Sequence, residues 1–567
     1  MFDLANDRLS YSEMLRPDVG YTLDFAVGTT YSLDLEALLG VPVSMGLLED
    51  GDTEQLRNPL YVLEAIRASA DKIAIFCNAG GIKLPDKIQS VYSLLEESVF
   101  QVKLSKNANF HSKLWVLKYS NEAKESYLKL LVLSRNLTFD SSIDLCVALR
   151  GDVKRQRRVK NKPLADMVSF LAQYASKAKQ SQILSLAEDL MHVVFEVEAP
   201  FEDYAFLPIG IPNYPGENLK LFGQKHDLFV VSPFLSDGTI KELAKTADRK
   251  ILVTRKSSVT RTVLDTFTHV YITKDILTDN EFAAKQDIHA KLYFTPTYDG
   301  NFLYIGSANA SHNAFHRNVE CLLQLKYKPY GIGMWNFMQD FIPNENCPYE
   351  EITCVPEVEV ADDSQRKIEE ALREAVYALK RAEVTADGDA FDLAVSAREL
   401  KTTERIYIAP LQRLDLMCAL QPQTQFKGIL LKEISEFFVL KVQDQTLVVK
   451  VDTRGIPKGR EEAIYRSIID TKAKFMSYLS FVLSENPSAF AAETDMLDSI
   501  LLSDEKPGQS TALAVSVYEK MLRVFHQNPN RIKSIADMIR RLDPEIIGEE
   551  FMQMYAAFEL AAKKVQR

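Results

Sequence analysis

The chain has 567 residues and a formal net charge of -11, with 46% hydrophobic and 26% charged residues. This length exceeds what a single hydrophobic core supports, so the sequence predicts two to four domains. The acidic balance argues against a protein that coats nucleic acid with its whole surface, although it permits a locally basic groove.

The six cysteines are scattered and form no Cys-x-x-Cys pair, so neither a zinc ribbon nor a disulfide framework is indicated. No apolar run is long enough to cross a bilayer, and the first residues do not show the basic-then-apolar pattern of a secretion signal. The sequence therefore predicts a cytoplasmic protein without a membrane partner, a cofactor or a metal.

The first part of the chain alternates between strand and helix patterns. The predicted elements are a strand over 21–27, a turn at 28–32, a helix from about Leu33 capped by Ser32, a helix over 55–70, and strands over 72–77 and 99–104. Alternating strands and helices are typical of an α/β sandwich.

The second part repeats this pattern after a long predicted helix over 164–193. Its elements are strands over 227–231, 250–254 and 269–273, with a turn at 232–234 and a helix over 239–245. Lys72 and Lys250 are 250 − 72 = 178 residues apart, and His111 and His289 are 289 − 111 = 178 residues apart. The equal spacings predict an internal duplication of one α/β unit.

A His-x-Lys-Leu-aromatic motif occurs at residues 111–115 and again at 289–293. In a strand, alternation places His111 and Lys113 on one face, and the same holds in the second copy. Each motif is followed by an apolar run that ends in Ser-x-Asn and then by a carboxylate. The two sets are His111, Lys113, Ser134, Asn136 and Asp144, then His289, Lys291, Ser307, Asn309 and Glu320.

These residue types fit hydrolysis of a phosphodiester, whose negative charge repels nucleophiles and whose leaving oxygen needs a proton. One imidazole attacks phosphorus and forms a covalent phosphohistidine, and the other protonates the leaving oxygen. The lysines and asparagines hold the non-bridging oxygens, supported by Ser134 and Ser307. Asp144 and Glu320 orient the imidazoles. The two sets together predict a metal-independent phosphodiesterase.

The two motifs resemble the phospholipase D superfamily, over roughly residues 20–330. The most specific part is Gly-Ser-Ala-Asn-Ala-Ser at 306–311, with Glu320 eleven residues past Asn309. The Asp that the longer family pattern places shortly after Lys is absent in both copies, which favours the nuclease and tyrosyl-DNA phosphodiesterase branch. The resemblance implies two lobes meeting at a pseudo-twofold site, with His111 as the nucleophile and His289 as the acid. The residues alone leave that order open.

Basic residues favour nucleic acid over phospholipid as the substrate, and DNA is the favoured partner, although the residues do not distinguish DNA from RNA. Candidate phosphate contacts beside the site are Lys154, Arg155, Arg157, Arg158 and Lys160, together with Arg255 and Lys256 in the related turn of the second half. The alternative for the first group is a solvated loop. Trp115 and Tyr293 either stack a base or pack in the core. His312 and His316, at helical spacing, are read as surface residues rather than a metal pair.

The last part of the chain predicts a different unit. Its elements are a bridging helix over 362–386, strands over 405–409 and 428–431, a hairpin over 437–451, and helices over 460–484, 510–526, 531–541 and 549–564. A scaffold for the catalytic lobes is one interpretation. The other is a docking domain that forms a homo-oligomer or recruits a protein such as a motor ATPase in a bacterial defence or repair complex.

The sequence thus predicts an α/β protein with two duplicated phospholipase D-like lobes, 1–163 and 164–345, a linker with a bridging helix over 346–400, and an α+β, mostly helical interaction domain over 401–567. The predicted activity is that of a DNA nuclease. Two alternatives stay open, a phospholipase or phosphatidyl transferase and a DNA-binding pseudoenzyme. The second is raised by Arg135 within the first Ser-x-Asn and by Asp144 only eight residues past Asn136.

Overall fold

The computed structural model describes residues 11–45, 59–105, 107–139, 142–273, 288–298, 300–327, 349–357, 363–483, 521–522, 535–536 and 538–565. These residues form two large mixed sheets and two smaller sheets, with helices on their outer faces. Within these ranges, no helix combines the length and the apolar character that crossing a bilayer requires. The α/β class predicted from the alternating pattern is confirmed.

The first large sheet contains the strands β1 Thr22–Thr30, β2 Ile73–Asn78, β3 Val99–Val102, β4 Leu114–Ser120, β5 Ser126–Leu133 and β6 Cys146–Asp152. Their order is β3-β2-β1-β4-β5-β6. The strands β1, β2 and β3 are parallel, whereas β4, β5 and β6 each run antiparallel to their neighbours. Helix Tyr11–Leu15 precedes β1. The connection from β1 to β2 contains helices Leu35–Leu39, Val41–Ser44 and Pro59–Ser69.

The second large sheet contains β7 Phe201–Ile209, β8 Asp227–Val231, β9 Arg249–Thr254, β10 His269–Thr273, β11 Leu292–Thr297, β12 Gly300–Gly306, β13 Glu320–Tyr327 and β14 Tyr349–Glu351. Its order is β14-β10-β9-β8-β11-β12-β13-β7. The six strands from β10 to β13 in this order repeat the arrangement of the first sheet, and β14 and β7 extend its two edges. In each sheet the carboxyl ends of the parallel strands lie at the same edge as the first residue of β4 or β11. We call this edge the motif edge.

The two large sheets pack face to face, because alternate residues of their strands point into one shared core. Phe25 and Val27 of β1 lie in this core together with Phe229 and Val231 of β8. Full burial of such side chains contributes about 1.5–3 kcal/mol each. Helices Lys162–Ala172 and Lys177–Leu190 close the side of this core, and helices Asp237–Ala244, Arg261–Thr266 and His312–His316 lie along the outer face of the second sheet.

Several local predictions needed correction. The helix predicted over 164–193 is two helices, separated at residues 173–176. The helix predicted to begin at Leu33 begins at Leu35, and its N-cap is Asp34, whose carboxylate accepts a hydrogen bond from the Glu36 amide at 2.9 Å. β1 continues to Thr30, so the predicted turn at 28–32 is shorter.

The two lysines at a spacing of 178 do not occupy equivalent positions. The motif residues Trp115 and Tyr293 pair with Gly28 and Val230, which in turn pair with Ile75 and Leu252. The offset between β2 and β9 is therefore 252 − 75 = 177, one residue less than between the two histidines. The equal spacing was a coincidence, although the two sheets do share one strand order.

The last part of the described chain contains more strand than predicted. Helix Asp363–Ala378 is followed by β15 Leu379–Asp387, β16 Ala390–Ala397, β17 Tyr407–Pro410, β18 Cys418–Ala419, β19 Gln423–Ile429, β20 Phe437–Val442, β21 Gln445–Lys450 and β22 Thr453–Arg454. These form two four-stranded sheets, β19-β16-β15-β22 and β18-β17-β20-β21. Helices Arg460–Ile468, Lys472–Val482, Pro544–Ile547 and Glu549–Val565 follow.

The predicted bridging helix was wrong beyond Ala378, where β15 begins. From this point buried Ala382 and Val384 alternate with exposed charged residues, which is the period of a strand. The helix predicted over 460–484 is two helices. The helices predicted over 510–526 and 531–541 fall largely outside the described residues.

The strands and helices after residue 400 share a hydrophobic core with the first large sheet, in which Phe437 and Tyr478 pack with residues of β1 and β2. A buried polar contact accompanies it. Glu96 of the first lobe lies 2.6 Å from Arg460 and accepts a hydrogen bond from the Ser435 hydroxyl at 2.7 Å. The contact supports the scaffold interpretation of this unit, and the docking interpretation stays a prediction.

Candidate active site

Each His-x-Lys motif lies immediately before a strand, because β4 begins at Leu114 and β11 begins at Leu292. The strand placement predicted for the motifs was therefore wrong by a few residues. At this position the backbone bonds to the opposite lobe. The His111 amide donates to the Val319 carbonyl at 2.8 Å, and the His289 amide donates to the Ile143 carbonyl at 3.0 Å. The two motifs are thus held at one interface between the lobes.

A carboxylate of the second lobe orients the imidazole of the first. Nδ1 of His111 lies 2.9 Å from Oε2 of Glu320, a residue with no solvent exposure. Glu320 also accepts hydrogen bonds from the Ser307 hydroxyl and from the Asn318 side chain, the latter at 3.1 Å. The sequence assigned Glu320 to an imidazole, and the structure adds that this imidazole belongs to the other lobe.

Asp144 occupies the matching position in the first lobe. It follows Ile143, which accepts the amide of His289, just as Glu320 follows Val319, which accepts the amide of His111. Its carboxylate accepts hydrogen bonds from the hydroxyls of Ser134 at 2.8 Å and of Ser142 at 2.6 Å. The backbone of the first lobe therefore holds Asp144 at the position that corresponds to Glu320 in the second lobe.

Ser134 and Ser307 do not have the predicted role of contacting phosphate. Both are fully buried, and each hydroxyl donates to the carboxylate of its own lobe. A hydroxyl has a single hydrogen to donate, and here it is used on Asp144 or Glu320. The two serines orient the carboxylates instead.

The two motif lysines are buried, each with 2% exposure. The Lys113 ammonium donates to the His111 carbonyl at 3.0 Å, and the Lys291 ammonium donates to the His289 carbonyl. Burial, followed by the positive charge of Lys291, lowers the pKa of Lys113 well below its usual 10.5, although Glu320 and Asp144 oppose this shift. Charges from both motifs thus act on each other in a single site.

The two asparagines differ in their surroundings. The Asn136 side-chain oxygen accepts a hydrogen bond from the Ser32 amide at 3.4 Å. Asn309 is 8% exposed, and its buried side-chain oxygen has no hydrogen-bond partner within the described ranges. Because buried polar atoms are almost always paired, this amide indicates a polar ligand group beside it. Amide oxygen and nitrogen are interchangeable by a flip, so the group can donate to an anion.

The protonation of His111 suits a nucleophile. Burial lowers the pKa of His111 below 6.5, and the opposing charge of Glu320 does not reverse the shift. Burial by itself raises the pKa of Glu320, but His111, Lys113 and the Ser307 hydroxyl lower it overall, so the carboxylate is ionised. A carboxylate only accepts hydrogen bonds, so Nδ1 of His111 carries the hydrogen and Nε2 carries the lone pair.

Sequence reasoning missed several residues that surround His111. The Tyr31 ring lies 5.1 Å from the imidazole, and the Lys113 ammonium lies 5.9 Å from the Tyr31 ring centre. The side-chain oxygens of Asn78 and Asn318 accept the amides of Phe110 and Asn109 at 2.9 and 3.1 Å. Asn318 stands two residues before the predicted Glu320, which was the one signal that could have identified it.

The helix Asp363–Ala378 also reaches the loop that carries His111. The Arg373 guanidinium donates to the Ala108 carbonyl at 2.9 Å. The Lys103 ammonium donates to the Val376 and Tyr377 carbonyls at 3.1 and 3.3 Å, at the carboxyl end of this helix, where a cation is favourable. The helix lies more than 250 residues from His111 in the sequence, so the sequence pattern did not reveal that it supports this loop.

The basic run after β6 lies away from the motif edge, contrary to the prediction that it flanks the site. β6 begins beside the site at Cys146 and carries the chain about 20 Å away before residue 154. Lys154, Arg155, Arg157, Arg158 and Lys160 are exposed there. Arg157 and Lys160 form ion pairs with Glu188 and Asp203. Sequence distance from Asp144 does not reveal the direction in which a strand runs.

Arg255 and Lys256, in contrast, follow β9 at the motif edge. Nε of Arg255 donates to the Ile288 carbonyl at 3.2 Å, directly before His289. Lys256 is exposed. Of the seven predicted nucleic-acid contacts, these two lie beside the site.

Four other side chains that the sequence singled out contact only protein groups in the structure. Trp115 and Tyr293 are buried, with 2% and no exposure, so neither stacks a base, and the Tyr293 hydroxyl donates to the Ala308 carbonyl at 2.9 Å. The His312 and His316 rings stack at 4.3 Å on the surface, and His316 lies 3.1 Å from Glu217. In the part of the chain that the structure describes, no group of three or more His, Cys, Asp or Glu side chains is arranged to hold a metal ion.

Lys113→Met is expected to raise the melting temperature at pH 7. The folded pKa of Lys113 is lowered, so the unfolded chain binds one more proton than the folded chain between that pKa and 10.5. Burial of Lys113 thus destabilises the fold at neutral pH, by about 1–3 kcal/mol. The gain should shrink as the pH approaches 10.5, which thermal melts over a pH series would measure.

Lys118→Met is the matched control for this prediction. Lys118 lies on β4, which directly follows Lys113, but is partly exposed and pairs with Asp189 at 2.7 Å, so its removal should change stability by less than about 1 kcal/mol at any pH. A melting temperature of Lys113→Met that equals or falls below that of Lys118→Met would contradict the destabilising role of the buried ammonium.

Comparison with known proteins gives distant structural similarities. No family model matches the sequence, and no curated protein matches it. Yeast tyrosyl-DNA phosphodiesterase is similar at 14% identity, with 55% of this chain and 84% of that chain covered and a TM-score of 0.35. Phosphatidylserine synthase from Haemophilus influenzae is similar at 10% identity, with 62% and 86% covered and a TM-score of 0.35.

NucT from Helicobacter pylori is similar at 18% identity, with 22% of this chain and 86% of that chain covered and a TM-score of 0.18. These TM-scores are too low to assign a function, so the functional assignment depends on the geometry of the site.

Proposed function

We propose that this protein is a phosphodiesterase that cleaves nucleic acid through a covalent phosphohistidine on His111. The observation that carries the proposal is the buried site between the lobes, where His111 is paired with Glu320 and the two lysines of separate motifs act on each other. The positive charges of the Lys113 and Lys291 ammonium groups balance the negative charges of the Asp144 and Glu320 carboxylates, so the net charge of the site is near zero. A phosphodiester adds one negative charge, which a protonated histidine balances.

In the first step, Nε2 of His111 attacks phosphorus and forms the P–N bond while the bond to the leaving oxygen breaks. The electron pair goes to that oxygen, and His289 donates the proton that converts it to an alcohol. Lys113, Lys291 and the Asn309 amide stabilise the non-bridging oxygens as charge develops. Because these groups are already buried and held, little reorganisation is needed during the reaction.

In the second step, the now neutral His289 takes a proton from water, and the resulting hydroxide attacks phosphorus. The P–N bond breaks, its electron pair returns to His111, and a phosphate monoester leaves. Glu320 stabilises the positive charge on the His111 imidazole while the adduct exists, since its carboxylate accepts the Nδ1 hydrogen.

The first copy of the motif is complete in its hydrogen bonds, which speaks against the pseudoenzyme alternative. Ser134 and Asp144 bond as Ser307 and Glu320 do, and the Leu145 amide donates to Ser134 as the Cys321 amide donates to Ser307. The eight-residue spacing from Asn136 to Asp144 is therefore accommodated by the loop. Nucleic acid is favoured as substrate by the positive charges of Arg255 and Lys256, which lie beside His289.

The test uses the full chain with a chelator present throughout. Supercoiled plasmid, single-stranded DNA, single-stranded RNA and phospholipid vesicles are incubated separately, and phosphate monoester or released headgroup is measured. Cleavage of a nucleic acid supports the proposal. Hydrolysis of vesicles alone assigns a phospholipase, and tight DNA binding without turnover assigns a pseudoenzyme.

Arg373→Ala is expected to lower kcat about 5- to 10-fold with little change in KM, because one hydrogen bond of about 1 kcal/mol positions the loop before His111. Arg373 is a positioning residue, because its hydrogen bond goes to this loop and not to a motif side chain. Arg373→Lys, which retains a donor, should recover part of kcat. The measurement is steady-state kinetics on the substrate identified above.

Arg366→Ala is the control, since Arg366 lies on the same helix, is exposed and pairs only with Glu370 one turn away among the described contacts. Equal kcat values for the two alanine variants would refute the positioning role. Removal of the C-terminal unit would not test this role, because it would expose the core that this unit shares with the first lobe.

A further inference from the structure

An exposed aromatic side chain stands at the motif edge of the second lobe. Phe234 follows β8 by three residues and is 50% exposed. Its backbone is fixed, because its carbonyl accepts the Ser232 hydroxyl at 2.9 Å and the next residue, Leu235, pairs with Ala310. Ala310 directly follows Asn309, so the ring projects from the segment that adjoins the buried amide.

Arg255 joins this ring to the candidate catalytic residues. Its guanidinium carbon lies 4.6 Å from the centre of the Phe234 ring, within the range of a cation–π contact. Its Nε donates to the carbonyl of Ile288, the residue before His289. One side of the ring therefore faces the guanidinium, while half of the Phe234 side chain remains open to solvent.

The first lobe has different residues at the matching positions. By strand register, Ser32 corresponds to Phe234 and Asn78 corresponds to Arg255. The Ser32 amide donates to Asn136, and the Asn78 side chain accepts the Phe110 amide at 2.9 Å. An exposed aromatic ring with an arginine over it is thus found on the His289 side of the site, whereas the aromatic ring on the His111 side is the half-buried Tyr31.

We propose that Phe234 and Arg255 form a nucleotide subsite for the leaving-group side of the substrate, which rests on the function proposed above. A base adjacent to the scissile phosphate stacks on the open part of the Phe234 ring, and the positive charge of Arg255 attracts the neighbouring phosphate. Since a paired base cannot present its face to this ring, the preferred substrate is single-stranded or frayed. The asymmetry also fixes the polarity in which a strand binds.

The test compares a single-stranded oligonucleotide with a fully abasic strand of the same length. For Phe234→Ala, KM on the base-containing strand should rise about 5- to 150-fold, the effect expected from one stacked base, and kcat/KM on the abasic strand should be unchanged. Phe234→Trp should retain the preference of the wild type. Tyr298→Ala is the control, an 85% exposed aromatic at the far end of β11.

Equal losses on both strands, or none, would overturn the subsite. Failure of the wild type to cleave either strand would instead count against the proposed function. In that case anisotropy measurements with His111→Ala as the background still decide the subsite. Loss of the preference for the base-containing strand on adding Phe234→Ala supports it, and unchanged affinities overturn it.

Discussion

His111→Ala and His289→Ala are each expected to reduce phosphodiester hydrolysis by about 10³-fold or more. The first variant lacks the atom that attacks phosphorus, and the second lacks the acid for the leaving oxygen and the base for water. A substrate with a nitrophenolate leaving group separates these roles, because such an oxygen needs no proton. On it, His289→Ala should release a burst of nitrophenol and accumulate a phosphorylated protein, whereas His111→Ala should do neither.

His312→Ala is the control for both histidine variants, since His312 is exposed on the second lobe and stacks only on His316 among the ring contacts described. It should retain full activity. Accumulation of phosphoenzyme in His111→Ala would reverse the assignment of nucleophile and acid. Activity of both variants within about tenfold of the wild type would exclude histidine catalysis at this site.

Glu320→Gln is expected to lower kcat by about 10²- to 10⁴-fold without preventing folding, because it removes the charge that stabilises the His111 imidazolium and holds its tautomer. Glu320 raises the pKa of His111, so its neutralisation lowers that pKa further. The acid limb of the pH–rate profile, where the nucleophile gains a proton, should therefore move to lower pH. A profile from about pH 4 to 9 would show this.

The direction of that shift tests whether the carboxylate serves the histidine of the other lobe. An unmoved acid limb with a moved alkaline limb would place Glu320 with the general acid and refute the crossed pairing. Glu351→Gln is the control, since it removes the exposed ion pair between Glu351 and His269, 2.7 Å apart, on the same sheet. It should leave both limbs of the profile in place.

The sequence predicted which residues form the site, but not which carboxylate bonds to which histidine. Imidazole, ammonium, amide and carboxylate recur in the same order twice, and the structure brings both sets to one interface. The contact between His111 and Glu320 spans 209 residues, and spacing along the chain carries no information about which lobe supplies a partner. Ser134 and Ser307 were assigned to phosphate because the sequence does not show that their hydroxyls bond to Asp144 and Glu320. Those contacts depend on how the chain folds back within each lobe.

A helix or strand was predictable where the spacing of its apolar residues followed a single period from its first residue to its last. The buried strands β2 and β8 and the hairpin of β20 and β21 were found within a residue or two. The strand β15 was missed because its exposed face carries Lys380, Arg381 and Glu383, which continue the charged pattern of the preceding helix. Only burial of Ala382 and Val384 distinguishes the two periods, and burial depends on the sheet that β15 joins.

The pairing of His111 with Glu320 of the other lobe bears on how such a chain could have arisen. A gene encoding one lobe would yield a polypeptide whose histidine has its carboxylate on a second molecule. Two identical copies related by a twofold axis would supply two such pairs, through contacts of the kind made here by Phe110 with Val319 and by Ile143 with Ile288. Fusion of the copies would then free each half to diverge, which would account for Ser32 in one half and Phe234 at the matching position of the other.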